Sequence, residues 1–215
     1  MQNEGFFITF EGGEGGGKST VLQALYDFLS SKGFNIITTR EPGGVLLSEE
    51  IRLLLLEKEQ LKIDKRAELL LFLAARAQHV HELILPYLKK GYIVLCDRFN
   101  DSSIAYQGIA RGLGEETVRA IADFSSFSLK PNLTLLFDID PKVGLKRTLN
   151  LGRFDRIENE QLEFHEKVRQ AYLELAKKEP DRIIILDASK DKELVIEQAL
   201  STTWNYCERV LKKTF

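Results

Sequence analysis

Eight consecutive residues, Gly12-Gly13-Glu14-Gly15-Gly16-Gly17-Lys18-Ser19, constrain this chain more than any other feature. They match G-x-x-x-x-G-K-[ST] in full, follow the apolar run Phe6–Phe10 and open a helical stripe of Val21, Leu22, Leu25, Phe28 and Leu29. Glycines let successive backbone N–H groups curl around phosphate oxygens without Cβ obstruction. The helix that follows adds its positive end to the same place. The stretch Gly12–Thr20 is therefore read as a triphosphate cradle, with Lys18 reaching the transferred phosphoryl group and the Ser19 hydroxyl on Mg²⁺. Glu14 is out of character, because a carboxylate opposes a bound triphosphate. It is expected to face a hydroxyl or the metal's water shell, the plain alternative being a solvated side chain.

The rest of the chain supplies an α/β frame for this loop. Five short apolar runs, Phe6–Phe10, Ile36–Thr39, Tyr92–Cys96, Leu133–Ile139 and Ile183–Leu186, are mostly continuous rather than alternating, as strands covered on both faces are. Helical periods lie between them: the stripe ending at Gly33, a long pattern over Asp64–Lys89 ended by Gly91, then Phe164/Val168/Tyr172/Leu175 and Ile196/Leu200/Trp204/Cys207/Leu211. At 215 residues, with no internal repeat or linker, the chain reads as a single domain spanning 1–215. A net charge of −2 gives no global field for nucleic acid or an anionic membrane. No apolar run is long enough to span a bilayer, and Met1–Phe10 carries Glu4 but no basic residue. Cys96 and Cys207 match no disulfide or metal-ligand spacing. A cytoplasmic chain is expected.

In such sheets ligands bind beyond the carboxyl ends of the strands. That puts Glu11–Ser19, Arg40–Gly44, Asp97–Ser103 and Asp187–Lys190 on one rim. Two classes compete for the rim: a nucleotide switch or binding module, and a kinase for a small phosphorylated acceptor. A guanine-reading Asn-Lys-x-Asp is absent from the sequence. Asp187-Ala-Ser-Lys190 is only superficially like a base-binding loop, and a helicase or transporter ATPase normally needs more chain.

Three further segments favour the kinase. Thr39-Arg-Glu-Pro-Gly-Gly44, Leu71-Phe-Leu-Ala-Ala-Arg-Ala-Gln-His79 and Asp97-Arg-Phe-Asn-Asp-Ser-Ser-Ile-Ala-Tyr-Gln-Gly108 resemble the signature segments of thymidylate kinases, and Phe154-Asp-Arg-Ile-Glu158 resembles that family's lid. The resemblance implies a three-layer P-loop NTPase sandwich with a five-stranded parallel sheet and a mobile helical lid near 147–158, generally as a homodimer. It also implies the reaction ATP + dTMP to ADP + dTDP with Mg²⁺. The alternatives are a kinase for another deoxynucleoside monophosphate and a non-catalytic ATP-binding module.

The resemblance also assigns residues. Phe72 is similar to the aromatic that stacks on thymine, and Arg76, one turn later on the same helix face, to the residue that hydrogen-bonds the base. Without it, Phe72 reads as core. Arg98 resembles the arginine that clamps the acceptor phosphate, a task suited to its planar fork. Arg40 is a second candidate, with a surface ion pair to Glu41 as its alternative. Pro42 and the two glycines after it suggest a turn closing on the nucleoside. Asp97 ends an apolar strand, where a carboxylate can hold Mg²⁺ through water or orient Arg98. Ser102, Ser103 and Gln107 lie on the segment that reads the base in the family, and Tyr106 resembles the ring beneath the sugar. Asp138 and Asp140 are expected as a capping or turn pair before Pro141, and His79, His81 and His165 as packing or surface residues.

A phosphate monoester is largely dianionic at neutral pH, its second pKa being about 6, so no general base is required. Catalysis should come from in-line positioning and positive charge. Some family members place an arginine directly after the acidic residue of the loop. Here that position is Gly15, so the charge must come from the lid, where Arg147, Arg153 and Arg156 are available. Arg153 is the first candidate. Its replacement by alanine is expected to lower kcat by about tenfold or more while leaving dTMP affinity nearly intact.

Overall fold

The computed structural model describes residues 5–57, 61–149 and 156–211, with backbone only at 209–211. Five strands, β1 (Phe6–Gly12), β2 (Ile36–Arg40), β3 (Ile93–Asp97), β4 (Leu133–Asp138) and β5 (Ile183–Asp187), form one sheet in the order β2-β3-β1-β4-β5. Every neighbouring pair runs parallel. The continuous apolar runs are explained by this arrangement, since both faces are covered.

Along β1 the pleat sends Phe6, Ile8 and Phe10 into a core shared with α1 (Lys18–Ser31) and α9 (Lys192–Leu211). Phe7 points to the opposite face, where Val94, Cys96 and Phe99 surround it. That second face carries α3 (Lys65–His79), running through a π-helical turn Val80–Ile84 into α4 (Leu85–Lys89). It also carries α5 (Asn100–Ser103), continued as a π-helical segment Ile104–Ala110, then α6 (Glu115–Ser125) and α8 (Leu162–Lys178). The long pattern over Asp64–Lys89 is thus one helical run, started by Asp64, whose carboxylate accepts from the Arg66 N–H at 2.9 Å.

Besides the Asn100–Ala110 run and α6, two helices lack a counterpart in the periodic reading: α2 (Leu46–Arg52), extended by the π turn Leu53–Glu57, and α7 (Pro141–Leu149). Asp140 caps the start of α7, its carboxylate accepting from the Lys142 N–H at 2.8 Å. Asp138 does not share that task, which corrects the expectation of a capping pair. As the last residue of β4 it points to the same face as Leu136, where Arg169 of α8 donates to both its oxygens at 2.6 and 3.0 Å. Cys96 and Cys207 are both buried free thiols.

Candidate active site

Sheet register fixes the site. Phe10 and Arg40 both align with Asp97, so β1, β3 and β2 end at one level. Their loops open into a cleft of about 1360 Å³, part of it open to solvent. Residues Glu14–Thr20, Arg40, Pro42, Asp97 and Arg98 line it, and so do Phe72, Arg76, Ser102, Ser103, Tyr106 and Gln107. Asp187–Lys190 lies outside this lining, at the end of β5.

The phosphate loop turns through glycines at positive φ, with Gly15 at 68° and Gly17 at 84°. A side chain at Gly15 would collide with the carbonyl oxygen of Gly144, and one at Gly144 with the carbonyl oxygen of Glu14. Loop and α7 therefore touch backbone to backbone. Lys18 is buried and donates to the carbonyls of Gly13 at 2.8 Å and Gly12 at 3.3 Å. Burial and then the nearby Arg98 lower its pKa.

Arg98 faces the loop across the cleft. Its backbone is left-handed, φ 70°, fixed by its N–H donating to the Phe10 carbonyl at 2.9 Å. The guanidinium donates to Glu14, to the Gly12 carbonyl at 3.1 Å and, more weakly, to the hydroxyls of Ser102 and Tyr172 at 3.4 and 3.5 Å. It also lies 5.2 Å from the centroid of the Tyr106 ring. Burial works against the Glu14 charge, but Arg98 and Lys18 outweigh it and hold the carboxyl below its usual range. Glu14 therefore faces inward as a carboxylate, and Tyr106, whose phenol burial pushes up, donates to it at 3.3 Å.

Behind Arg98 stands Glu11, fully buried at the end of β1. It accepts from the Phe99 N–H at 2.7 Å, the Ser102 hydroxyl at 2.6 Å and the Tyr172 hydroxyl at 2.8 Å. Ser102 is therefore a support for Arg98 and Glu11. Ser103 does the same for Arg76, accepting from its guanidinium at 2.9 Å.

Arg76 is itself buried, donating to Glu41 at 2.6 Å and to the Phe99 carbonyl at 3.0 Å. Glu41 also lies 3.0 Å from His79 Nδ1, while His79 Nε2 hydrogen-bonds the Thr39 hydroxyl at 2.7 Å. His79 is thus a buried hydrogen-bonding link rather than a surface or packing group. The expected Arg40–Glu41 alternative is corrected too. Glu41 turns inward because two buried donors need it, and exposed Arg40 pairs with Glu49 at 3.0 Å.

Of the three lid arginines considered, Arg156 is committed elsewhere. It donates to the Leu55 carbonyl at 2.9 Å and to buried Glu68 at 2.7 Å. Arg147 donates to the carbonyls of Ala188 at 3.0 Å and Gly15 at 3.3 Å, tying the phosphate loop to the end of β5. Arg153 lies outside the described residues. Asp97 Oδ1 is buried and has no hydrogen-bond partner. A carboxylate oxygen so placed, in the cleft that Ser19 also lines, fits a water of a hydrated Mg²⁺.

The thymidylate kinase family model matches residues 10–199, which takes in every segment just described. The chain belongs to the thymidylate kinase family. It is similar to the thymidylate kinase of Protochlamydia amoebophila, 53% identical over 205 residues covering 92% of this chain and 91% of that one. The Geobacillus thermodenitrificans enzyme of the same name is 48% identical over 206 residues, 95% of this chain and 92% of that one. Among solved structures, thymidylate kinase from Ehrlichia chaffeensis superposes with a TM-score of 0.76 at 33% identity, covering 93% of this chain and 98% of that one. The thymidylate kinase resemblance gave no role to Glu11, Glu41, Glu68 or Tyr172. Glu68 was within reach, because 68, 72 and 76 are successive i, i+4 positions on one helix face.

Proposed function

We propose that this chain transfers the γ-phosphoryl group of ATP to dTMP, giving ADP and dTDP. One observation carries the reading: Arg98, which holds Glu14, and Lys18 both donate to the Gly12 carbonyl, so a second cation suited to an anion stands beside the phosphate loop in one cleft. A nucleotide switch needs only the first. Glu14 occupies the Arg98 fork as an acceptor phosphate would, and yields it when that dianion arrives. Arg98 then orients the attacking oxygen, while the loop N–H groups and Lys18 hold the donor. Phe72 supplies a face for the base, Arg76 an edge donor, and Tyr106 the floor beneath the sugar.

Ser19, with Asp97 through water, would hold Mg²⁺, which supplies charge neutralisation on the donor phosphates. Charge on the transferring group comes from Arg153. A cytoplasmic location fits two buried, unpaired thiols, and among the described residues no helix is long and apolar enough to cross a membrane. We place the assembly as a homodimer, because Leu47, Leu70 and Phe124 leave large apolar side chains exposed on α2, α3 and α6. Sedimentation velocity of the purified chain giving only monomer at micromolar concentration would remove that part.

A coupled assay for ADP release, run without acceptor and with dTMP, dUMP, dCMP, dGMP or dAMP, tests the reaction. Release should require acceptor and be fastest with dTMP. Some dUMP turnover should remain, since one methyl group is worth about 1–3 kcal/mol. Equal rates with and without every acceptor would defeat the kinase reading.

A further inference from the structure

Resting on dTMP as acceptor, we infer that Glu68 is a specificity-determining positioning residue, fixing the Gln107 side chain so that its carbonyl oxygen faces the base. The amide of Gln107 can in principle present either its NH₂ or its oxygen to the pocket, and the two ends differ little in shape. Its neighbour decides. Gln107 and Glu68 are both buried, and the Gln107 Nε2 group donates to Glu68 Oε1 at 2.9 Å.

Glu68 can only accept, because it is held as a carboxylate. Arg111 donates to its two oxygens at 3.2 and 3.3 Å, and Arg156 donates at 2.7 Å. Burial opposes the charge, but the Gln107 hydrogen bond and the two guanidinium groups hold the carboxyl below its usual range. The amide nitrogen must therefore point at Glu68. The amide oxygen must point the other way, and Gln107 lines the cleft together with Phe72 and Arg76.

The chemical consequence is a fixed pattern. Three of the five Arg76 N–H groups are taken by Glu41, Ser103 and Phe99, which leaves donors for a base carbonyl. Beside them the Gln107 oxygen is an acceptor with no freedom to become a donor. A base with a carbonyl next to a ring N–H fits both, as thymine and uracil do. Cytosine carries an amino group and an unprotonated ring nitrogen there, and so mispairs with both. Sites built on buried polar pairing reject such analogues by about 10⁴–10⁵-fold.

Replacing Glu68 by glutamine keeps the shape but lets position 68 donate, which frees Gln107 to turn over. The test is kcat/KM for dTMP, dUMP and dCMP in wild type and Glu68→Gln, with melting temperatures alongside. The dTMP-over-dCMP ratio should fall about tenfold or more, while the dTMP-over-dUMP ratio, which reads the methyl group, stays within about twofold. A loss of activity shared equally by all three acceptors would make Glu68 merely structural and overturn the inference. Glu68→Asp keeps a carboxylate for Arg111 and Arg156 but draws it back from Gln107. It is read the same way if Glu68→Gln does not fold. Wild type without acceptor-dependent ADP release would instead defeat the kinase reading, leaving the two failures distinct.

Discussion

Arg98 sits in a conformation that ordinary side chains avoid, and the site shows why it stays there. A non-glycine residue at φ 70° costs roughly 1–2 kcal/mol. The Phe10 carbonyl, Glu11 through Phe99 and Ser102, and Glu14 together hold it, so the strain sits where an anion is to bind. Two variants separate the backbone from the fork. Arg98→Ala and Arg98→Gly should both lower kcat/KM for dTMP by about 10²–10³-fold. The glycine variant should nevertheless melt about 2–4 °C above the alanine one, because only alanine keeps the left-handed penalty. Equal melting temperatures would mean the backbone carries no strain worth relieving. Glu11 gives a second test through pH. Burial and then Asp101 push its carboxyl up to about 7, despite the Ser102 hydroxyl, the Arg98 charge and the Tyr172 hydroxyl. As pH rises from the ordinary carboxylate range towards 7, the unfolded chain releases this proton and the folded chain keeps it. Stability therefore falls over that window and the loss is complete above 7. Glu11→Gln removes the titration, so urea unfolding of the variant should lack about 1–3 kcal/mol of decline between pH 5 and 7. Parallel curves for variant and wild type would rule the effect out.

Helix α7 meets the phosphate loop through Gly144, and here two tendencies oppose each other. In an isolated helix, glycine to alanine gains about 1 kcal/mol. In this helix the new methyl would press on the Glu14 carbonyl, a backbone atom that cannot swing aside, and overpacking of that kind costs about 1–3 kcal/mol. The contact should win. Gly144→Ala is expected to melt lower and to bind ADP about tenfold more weakly by titration calorimetry. A variant more stable than wild type with unchanged ADP affinity would show that the loop can yield. This contact also marks where sequence reading ended. All five strands were legible because their apolar runs are continuous, the inner strands β1, β3 and β4 being buried almost throughout and the edge strands β2 and β5 only in part, and α1 and α8 because their stripes keep one period. Helix α2 was not legible: Leu46, Leu47, Leu53 and Leu54 are exposed beside buried Ile51, Leu55 and Leu56, so apolar residues surround it and no face stands out. Within the site, the loop, Arg76 and Arg98 could be read from motif and spacing. The carboxylates that orient them could not, since Glu11, Glu41 and Glu68 find their partners 35 or more positions away along the chain.

At the scale of the whole molecule, the cleft is bounded by elements that meet one another mainly through the sheet. The loop before α1 forms one wall, and α3 with the Asn100–Ala110 helix forms the other. They are tied by Arg98, directly after β3, which reaches Glu14 and the Gly12 carbonyl, and by the Tyr106 hydroxyl on Glu14, while Arg156 from the turn before α8 holds Glu68. A nucleotide monophosphate seated between Arg98, Arg76 and Phe72 bridges both walls at once and binds only the folded chain. Mass action then gives about 2.7 kcal/mol at a ligand concentration 100 times Kd. For a domain of this size that is a rise in melting temperature of about 5–10 °C. ADP fills only the loop side, so ADP and dTMP together should raise the midpoint by at least the sum of their separate shifts. dCMP at the same concentration as dTMP should give little, because its base mispairs with Arg76 and Gln107. A dCMP shift matching that of dTMP would mean that the phosphate alone carries acceptor binding, and that the base wall of the cleft contributes shape without selection.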